Sequence, residues 1–431
     1  MRRQLIALTI AAQLASAGWA QTAREEIRNN IHLTASNTLA YPGPKQKLTP
    51  APKGKKPFYI SHYGRHGSRY LTNRRDYYYP YEAMMRADTI GKLTPLGREV
   101  MERVKRILDE AEGRTGELTP LGAQQLRQIA ARMYQRFPEV FKGDAYIDAR
   151  STTVLRCVLS MENALQQLLI LNPKLRINHD ASKADMGYMN MQDRHLVAIR
   201  NTPSVQTAFD KFKNRVPPTD RLVRTLFNDT LYIKRHVNAE RLTYSLFKLA
   251  SNVQSTELRR QLTLYDIFTD DELYNQWETD NAYWYIWFGP SPLNGSTQPY
   301  SQRQLLRTII EEADSCLKLH SPGASLRFGH ETIVMPLTCL LELNDYGQQI
   351  DDLAKVAKHG WRNYRIFPMG CNLQIVFYRS GPADDDILLK VLLNEDEMSL
   401  PLKTNQWPYY SWSDFRQYYL NKLDAYEEAP Q

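Results

Sequence analysis

Phe58-Tyr59-Ile60-Ser61-His62-Tyr63-Gly64-Arg65-His66-Gly67-Ser68-Arg69 is the stretch on which the reading of this chain turns. Phe58, Tyr59 and Ile60 begin a short strand, and Gly64 and Gly67 mark a tight turn after it. In open α/β sheets, ligands sit beyond the carboxyl ends of strands. A histidine between two arginines at such an edge is chemically pointed. The cations disfavour protonation of the His66 ring and keep it nucleophilic. The same guanidinium forks match phosphate oxygens in pairs. No Asp or Glu lies among residues 58–75, so Arg65 and Arg69 have no local counter-charge. Gly67 lets backbone approach a ligand closely. The alternative is a strand-end histidine in a salt-bridged loop, which the missing acids disfavour.

Outward from this stretch the pattern alternates strand and helix. Leu-Thr-Pro-Leu-Gly occurs twice, at 93–97 and 118–122. Thr before Pro is a helix-start signal, and helices are predicted over roughly 95–112 and 120–136. Residues 145–149 read as a strand, and 151–171 as a helix with Val154, Val158, Met161, Leu165 and Leu168 inward. The tyrosine-rich stretch 68–92 reads as a polar loop, and 21–56 as a lead-in over the surface. Residues 325–328, 373–378 and 387–393 are further strands, the last two forming a hairpin. Between 180 and 310 strand signals fade and helical, aromatic-rich sequence takes over. The fold class is therefore α/β: a doubly wound, mainly parallel sheet with flanking helices and a mainly helical inserted cap. The expected division is a core of 21–179 and 311–431 with a cap over 180–310.

Residues 1–20 carry Arg2 and Arg3, a short apolar run and small residues at Ala15, Ala17 and Ala20. This is the pattern of a secretory signal peptide, cut after Ala17 or Ala20. The expected location is periplasmic or secreted, with no membrane attachment after cleavage. The formal charge of +8 falls to +6 once Arg2 and Arg3 are removed (8 − 2 = 6). That balance favours an anionic small molecule. Basic residues are spread evenly with no nucleic-acid-binding module, so nucleic acid is not an expected partner. Cys157, Cys316, Cys339 and Cys371 form no CxxC pair, which argues against a zinc ribbon. Disulfides and buried thiols are equally open readings.

Arg65-His66-Gly67-Ser68-Arg69 resembles the active-site motif of the histidine phosphatase superfamily, in the branch of histidine acid phosphatases, phytases and multiple inositol polyphosphate phosphatases. Arg150-Ser151-Thr152 with Arg156 is similar to that branch's second motif. Gly329-His330-Glu331-Thr332 is similar to its Gly-His-Asp-Thr element, and the three occur in family order. The resemblance implies a phosphohistidine enzyme with His66 as nucleophile. Arg65, Arg69, Arg156 and His330 would hold the phosphate, and Glu331 would donate the proton. No metal or other cofactor is implied. The substrate would be a phosphate ester, inositol polyphosphates such as phytate being the leading class and a broad-specificity acid phosphatase the alternative. Glu331 departs from the usual Asp, and the His-Ala-Glu of inositol polyphosphate phosphatases is also not matched. A phosphate-binding protein without turnover is therefore the reading from another class.

Among weaker candidates, Arg74, Arg75 and Lys92 are either remote-phosphate contacts or solvated charges. His62 is expected to be packed, as is the Tyr/Trp cluster at 283–288. Asp384 to Asp386 read as a turn, since the spacing of a calcium loop is missing.

Overall fold

The computed structural model describes residues 21–428 except 192, 217–219 and 322. The expected signal peptide lies outside the described residues. Among the described residues, eight strands form one sheet: β1 (Lys56–Arg65), β2 (Tyr146–Ser151), β3 (Arg176–Asp180), β4 (Gly323–Gly329), β5 (Asn372–Arg379), β6 (Leu388–Leu393), β7 (Asp396–Met398) and β8 (Tyr410–Ser411). Their order is β3-β2-β4-β1-β5-β6-β7, with β8 paired to β6. The strands β3, β2, β4 and β1 run parallel. From β5 onward the pairing is antiparallel, including the expected β5–β6 hairpin.

Both faces are covered, as near-continuous apolar strands require. One face packs Tyr59, Tyr63 and Ile375 against Leu305, Ile309, Val334 and Phe415 of helices 303–316, 331–340 and 412–428. The other packs Ile60, Ile147 and Leu326 against Leu126, Ile129, Met161 and Leu165 of helices 120–136 and 155–171. The result is a doubly wound α/β sheet with a helical layer, as the pattern implied.

Two local expectations need correction. The stretch 68–92 is not a loop: Arg75–Asp88 is a helix, and its buried Tyr77, Pro80, Met84 and Ala87 recur at helical spacing. Pro80 and the polar tyrosines hid that period. This helix shares a core with Val100 and Val104 and with Leu242, Leu246 and Leu249 of helix 239–253. The helical layer thus draws on residues before β2 as well as after β3. The lead-in is also more than a surface wrap, because Thr34, Ala35 and Ser36 are buried. All four cysteines are free thiols.

The paired Leu-Thr-Pro-Leu-Gly segments do the same mechanical job at two places. Thr119 accepts from the Gly122 amide at 3.1 Å, capping helix Pro120–Arg136, and both its amide and hydroxyl donate to Ser68 O. Thr94 caps helix Pro95–Ala111 through the Gly97 amide at 2.9 Å and grips Leu226 O in the same manner. Glycine is required at both third helical positions. A Cβ at Gly122 would stand 2.1 Å from Ser68 O, and one at Gly97 would stand 2.1 Å from Leu226 O. Only the first crossing supports the Arg65–Arg69 loop. Gly122→Ala and Gly97→Ala are each expected to lower stability by about 1–3 kcal/mol in denaturant unfolding. Turnover should fall much further in Gly122→Ala; equal turnover losses would refute a special role for that crossing.

Candidate active site

The site assembles where three neighbouring parallel strands end together. Arg65 pairs in register with Gly329, and Ser151 with Phe328. His66, Thr152 and His330 therefore leave the sheet at one level. The ladder continues one step into the loops: the His66 amide donates to Gly329 O and the Thr152 amide to Phe328 O, both at 2.9 Å. Helix side chains then fix the turn. Ser160 Oγ accepts from the Gly67 amide at 3.1 Å, and Gln125 Oε1 accepts from the Ser68 amide at 2.9 Å.

His66 is buried, and its ring Nδ1 lies 2.8 Å from Gly67 O. A carbonyl only accepts, so Nδ1 carries the proton and Nε2 keeps its lone pair. That Nε2 is buried without a hydrogen-bond partner among the described residues. Burial, then Arg65, with Arg69 and Arg156 adding to it against the opposing pull of Glu331, holds the ring well below its ordinary value of 6.5. The imidazole is neutral at physiological pH.

Arg65, Arg69 and Arg156 come from three different settings. Arg65 ends β1 and Arg69 follows the turn, whereas Arg156 stands in the first turn of helix Leu155–Leu171, after β2. Arg65 is tethered by Nη1 to Phe367 O at 2.9 Å, and Arg69 by Nη1 to Tyr70 O at 3.0 Å. Arg156 Nη1 reaches Gly116 O at 3.5 Å. Each keeps a buried nitrogen without a hydrogen-bond acceptor among the described residues: Nη2 of Arg65 and Nε of Arg69 and of Arg156. Burial, reinforced by Arg65 and Arg156, pushes Arg69 down to about 10 despite Glu331.

His330 caps the helix Glu331–Leu340, and its ring lies edge-on to His66 with centroids 5.8 Å apart. Its Nε2 is 3.3 Å from Thr152 Oγ1, and Cys157 Sγ lies 3.7 Å from that same nitrogen. Burial, followed by Arg156, Arg65 and Arg69 against Glu331, pushes His330 down to about 4. Glu331 is buried, with Oε2 at 2.9 Å from Arg65 Nε and 3.9 Å from His66 Nε2. Burial works to raise its carboxyl, but Arg65 first, then the other groups around it, hold it well below the carboxylate range. In this state Glu331 is a carboxylate.

Arg65, His66, His330 and Glu331 therefore meet around one spot, and Arg69 and Arg156 lie near enough for their charge to act on both imidazoles. Sequence reading missed three neighbours. Thr152 and Cys157 touch His330, and the Asn37 amide donates to Glu331 Oε1 at 3.3 Å. Thr152 stood inside a quoted motif, but nothing in the sequence marked Asn37.

The weaker candidates settle as packing and paired charges, except Arg75, whose side chain is exposed. His62 is buried 5.3 Å from the Phe328 ring and is pushed down to about 3 by burial and Arg327. Lys92 pairs with Asp229 at 2.7 Å, and Arg74 bonds Tyr78 and lies near Glu112. Tyr283, Trp284 and Trp287 stack among aromatic neighbours. Asp384 accepts from the Ser380 amide in the β5–β6 turn.

The model of the histidine phosphatase superfamily (branch 2) matches residues 64–394. Among solved structures, the multiple inositol polyphosphate phosphatase of Bifidobacterium longum in complex with inositol hexasulfate superposes with a TM-score of 0.72 at 18% identity, covering 89% of this chain and 97% of that one. The phytase from D. castellii gives 0.71 at 15% identity, covering 97% and 90%. The Hafnia alvei phytase in complex with myo-inositol hexakis sulphate gives 0.51 at 14%, covering 86% and 98%. At these identities the likeness is one of fold. No curated protein matches the sequence.

The depressed pKa of His66 has a measurable consequence. Its neutral form persists down to the lowered value, so an NMR titration of His66 should show a midpoint well below 6.5. Replacing Arg156 with Gln should move that midpoint upward. A midpoint at or above 6.5 in the native protein would mean the arginines do not act on the ring.

Proposed function

The chain belongs to branch 2 of the histidine phosphatase superfamily and is a phosphomonoesterase; from that premise we propose that it is exported and hydrolyses anionic organic phosphates, inositol polyphosphates foremost, through a phosphohistidine at His66. The carrying observation is the set of buried, acceptor-lacking guanidinium nitrogens around a neutral imidazole with its Nε2 lone pair free. Buried donors without acceptors are costly, and a tetrahedral dianion satisfies several of them together. His66, His330 and Glu331 offer ligand atoms within 4.8 Å of one another. Three arginines around them make the spot suited to an anion rather than a cation, and chelators are expected to leave activity unchanged.

In the proposed reaction, Nε2 of His66 forms a bond to phosphorus while the ester P–O bond breaks in line. The arginines stabilise the equatorial oxygens. The departing oxygen takes a proton from Glu331. Water then attacks phosphorus, Glu331 recovers the proton, the N–P bond breaks and phosphate leaves. Glu331 must first acquire that proton. A phosphate dianion entering beside it draws Arg65 away and adds like charge, and both raise carboxyl affinity for a proton. The same dianion favours protonated His330.

The inositol polyphosphate reading is supported by the fold likeness to proteins solved with inositol hexasulfate and by the basic net charge. A broad-specificity acid phosphatase is the second reading. The counter-charges already beside Lys92 and Arg74 favour it, since those cations are not free for remote phosphates.

Three experiments decide these points. Phosphate release from phytate and from a sugar phosphate should favour phytate in kcat/KM, and a strong preference for the sugar phosphate overturns the leading substrate class. Acid quench with labelled substrate should trap a phosphoenzyme in the native chain and none in His66→Ala. Glu331→Gln should lose roughly 10²–10⁴-fold in kcat on an alkyl phosphate, and far less on 4-nitrophenyl phosphate, whose phenolate leaves without protonation. Equal losses on both esters would show that Glu331 is not the proton donor.

A further inference from the structure

Asn37 lies 294 positions before Glu331 in the chain, yet its amide meets the carboxyl at 3.3 Å. It sits in the 3₁₀ segment Ile31–Thr38, which is clamped from three sides. Asn363 Nδ2 donates to Ser36 Oγ at 2.7 Å, the Met369 amide donates to Leu39 O at 2.8 Å, and Gln254 Oε1 accepts from the Ala40 amide at 3.1 Å. Met369 belongs to the loop that meets the nucleophile, since the Gly370 amide donates to His66 O at 2.9 Å. Ser36, directly before Asn37, has φ 53° and ψ −122°. A side-chain-bearing residue persists there only where surrounding contacts impose it. The strain is stored one residue from the group that touches the acid.

The two oxygens of Glu331 are not equivalent. Oε2 faces the chemistry, 2.9 Å from Arg65 Nε and 3.9 Å from His66 Nε2, whereas Oε1 faces the Asn37 amide. An amide N–H only donates, so once a phosphate dianion has drawn Arg65 off Oε2, the oxygen still held by Asn37 is favoured as the acceptor, carbonyl-like oxygen of the protonated carboxyl.

We propose that Asn37 is a positioning residue that fixes the catalytic proton of Glu331 on Oε2, the oxygen facing His66. The inference rests on the reading of Glu331 as proton donor. When the ester P–O bond breaks, its electron pair stays on the leaving oxygen, which takes the Oε2 proton. Asn37 itself touches neither substrate nor phosphorus. Without its amide, the proton is shared between two oxygens and the carboxyl is free to turn, so the fraction poised for transfer falls.

The test separates this role from simple support of the fold. Asn37→Ala and the similarly sized Asn37→Leu both remove the donor, and the second keeps the shape should the first fail to fold. Steady-state kinetics are compared on glycerol phosphate, a poor leaving group, and on 4-nitrophenyl phosphate, with Glu331→Gln as reference. Losing a hydrogen bond to the neutral, proton-carrying carboxyl predicts a kcat loss of roughly two- to tenfold on glycerol phosphate, with 4-nitrophenyl phosphate nearly unaffected. Competitive inhibition by inorganic phosphate should be unchanged, as the arginine clamp is intact. Equal losses on both esters in the Asn37 variants, alongside a leaving-group-selective Glu331→Gln, would overturn the proposal while leaving the acid in place. A Glu331→Gln variant that slows both esters equally removes the acid itself, and the proposal with it.

Discussion

Three guanidinium groups packed around one uncharged imidazole are the constraint on which this molecule is organised. Like charges at short range in a poorly solvated site repel strongly, and burial makes each more costly. The fold offsets this in two ways. Arg65 and Arg69 are pinned to the carbonyls of Phe367 and Tyr70, and one carboxylate, Glu331, stands between them as the internal counter-charge. Among the described residues this still leaves several donors unmatched. In the proposed function, an anion that satisfied them would displace an interaction the protein already has, which moderates affinity.

The surrounding architecture supplies rigidity where that repulsion would otherwise splay the loop. The β1 end is held by the ladder to β4, by Ser160 and Gln125 on two helices, and by the Thr119–Gly122 cap that closes on Ser68. Each of these bonds reaches a backbone group of the motif rather than its side chains. The turn is thus held through its main chain, while Nη2 of Arg65, Nε of Arg69 and Nε2 of His66 keep no hydrogen-bond partner among the described residues. A short sequence feature, Leu-Thr-Pro-Leu-Gly, thus serves the chemistry without contributing a reacting atom.

What was legible in the sequence was local or paired with a strong periodic signal. The β1 strand and its Arg-His-Gly turn read directly, because an uncompensated basic cluster at a strand end has few structural explanations. Helices 95–111 and 120–136 read from their Thr-Pro starts. Arg156 and His330 were reachable only through the resemblance, since each lies in its own motif and only the register of three parallel strands brings them to His66. The helix Arg75–Asp88 was hidden because Pro80 and hydroxyl-bearing tyrosines occupy its buried face. Asn37 carried no signal: a polar residue in an aperiodic lead-in gains meaning only when a contact across 294 positions is known.

Glutamate in place of the expected aspartate finds its explanation in helix geometry. Position 331 is the first residue of helix Glu331–Leu340, with His330 as its cap. An acid there lies beside unpaired amide donors and favours the negative form. The extra methylene lets the carboxyl reach both Arg65 Nε and the neighbourhood of His66 Nε2 from a backbone position set by His330. In the proposed reaction this makes an acid whose protonation depends on occupancy: in the free protein the carboxylate is the ion-pair partner of Arg65, and a dianion that engaged Arg65 would release the carboxyl to take up a proton.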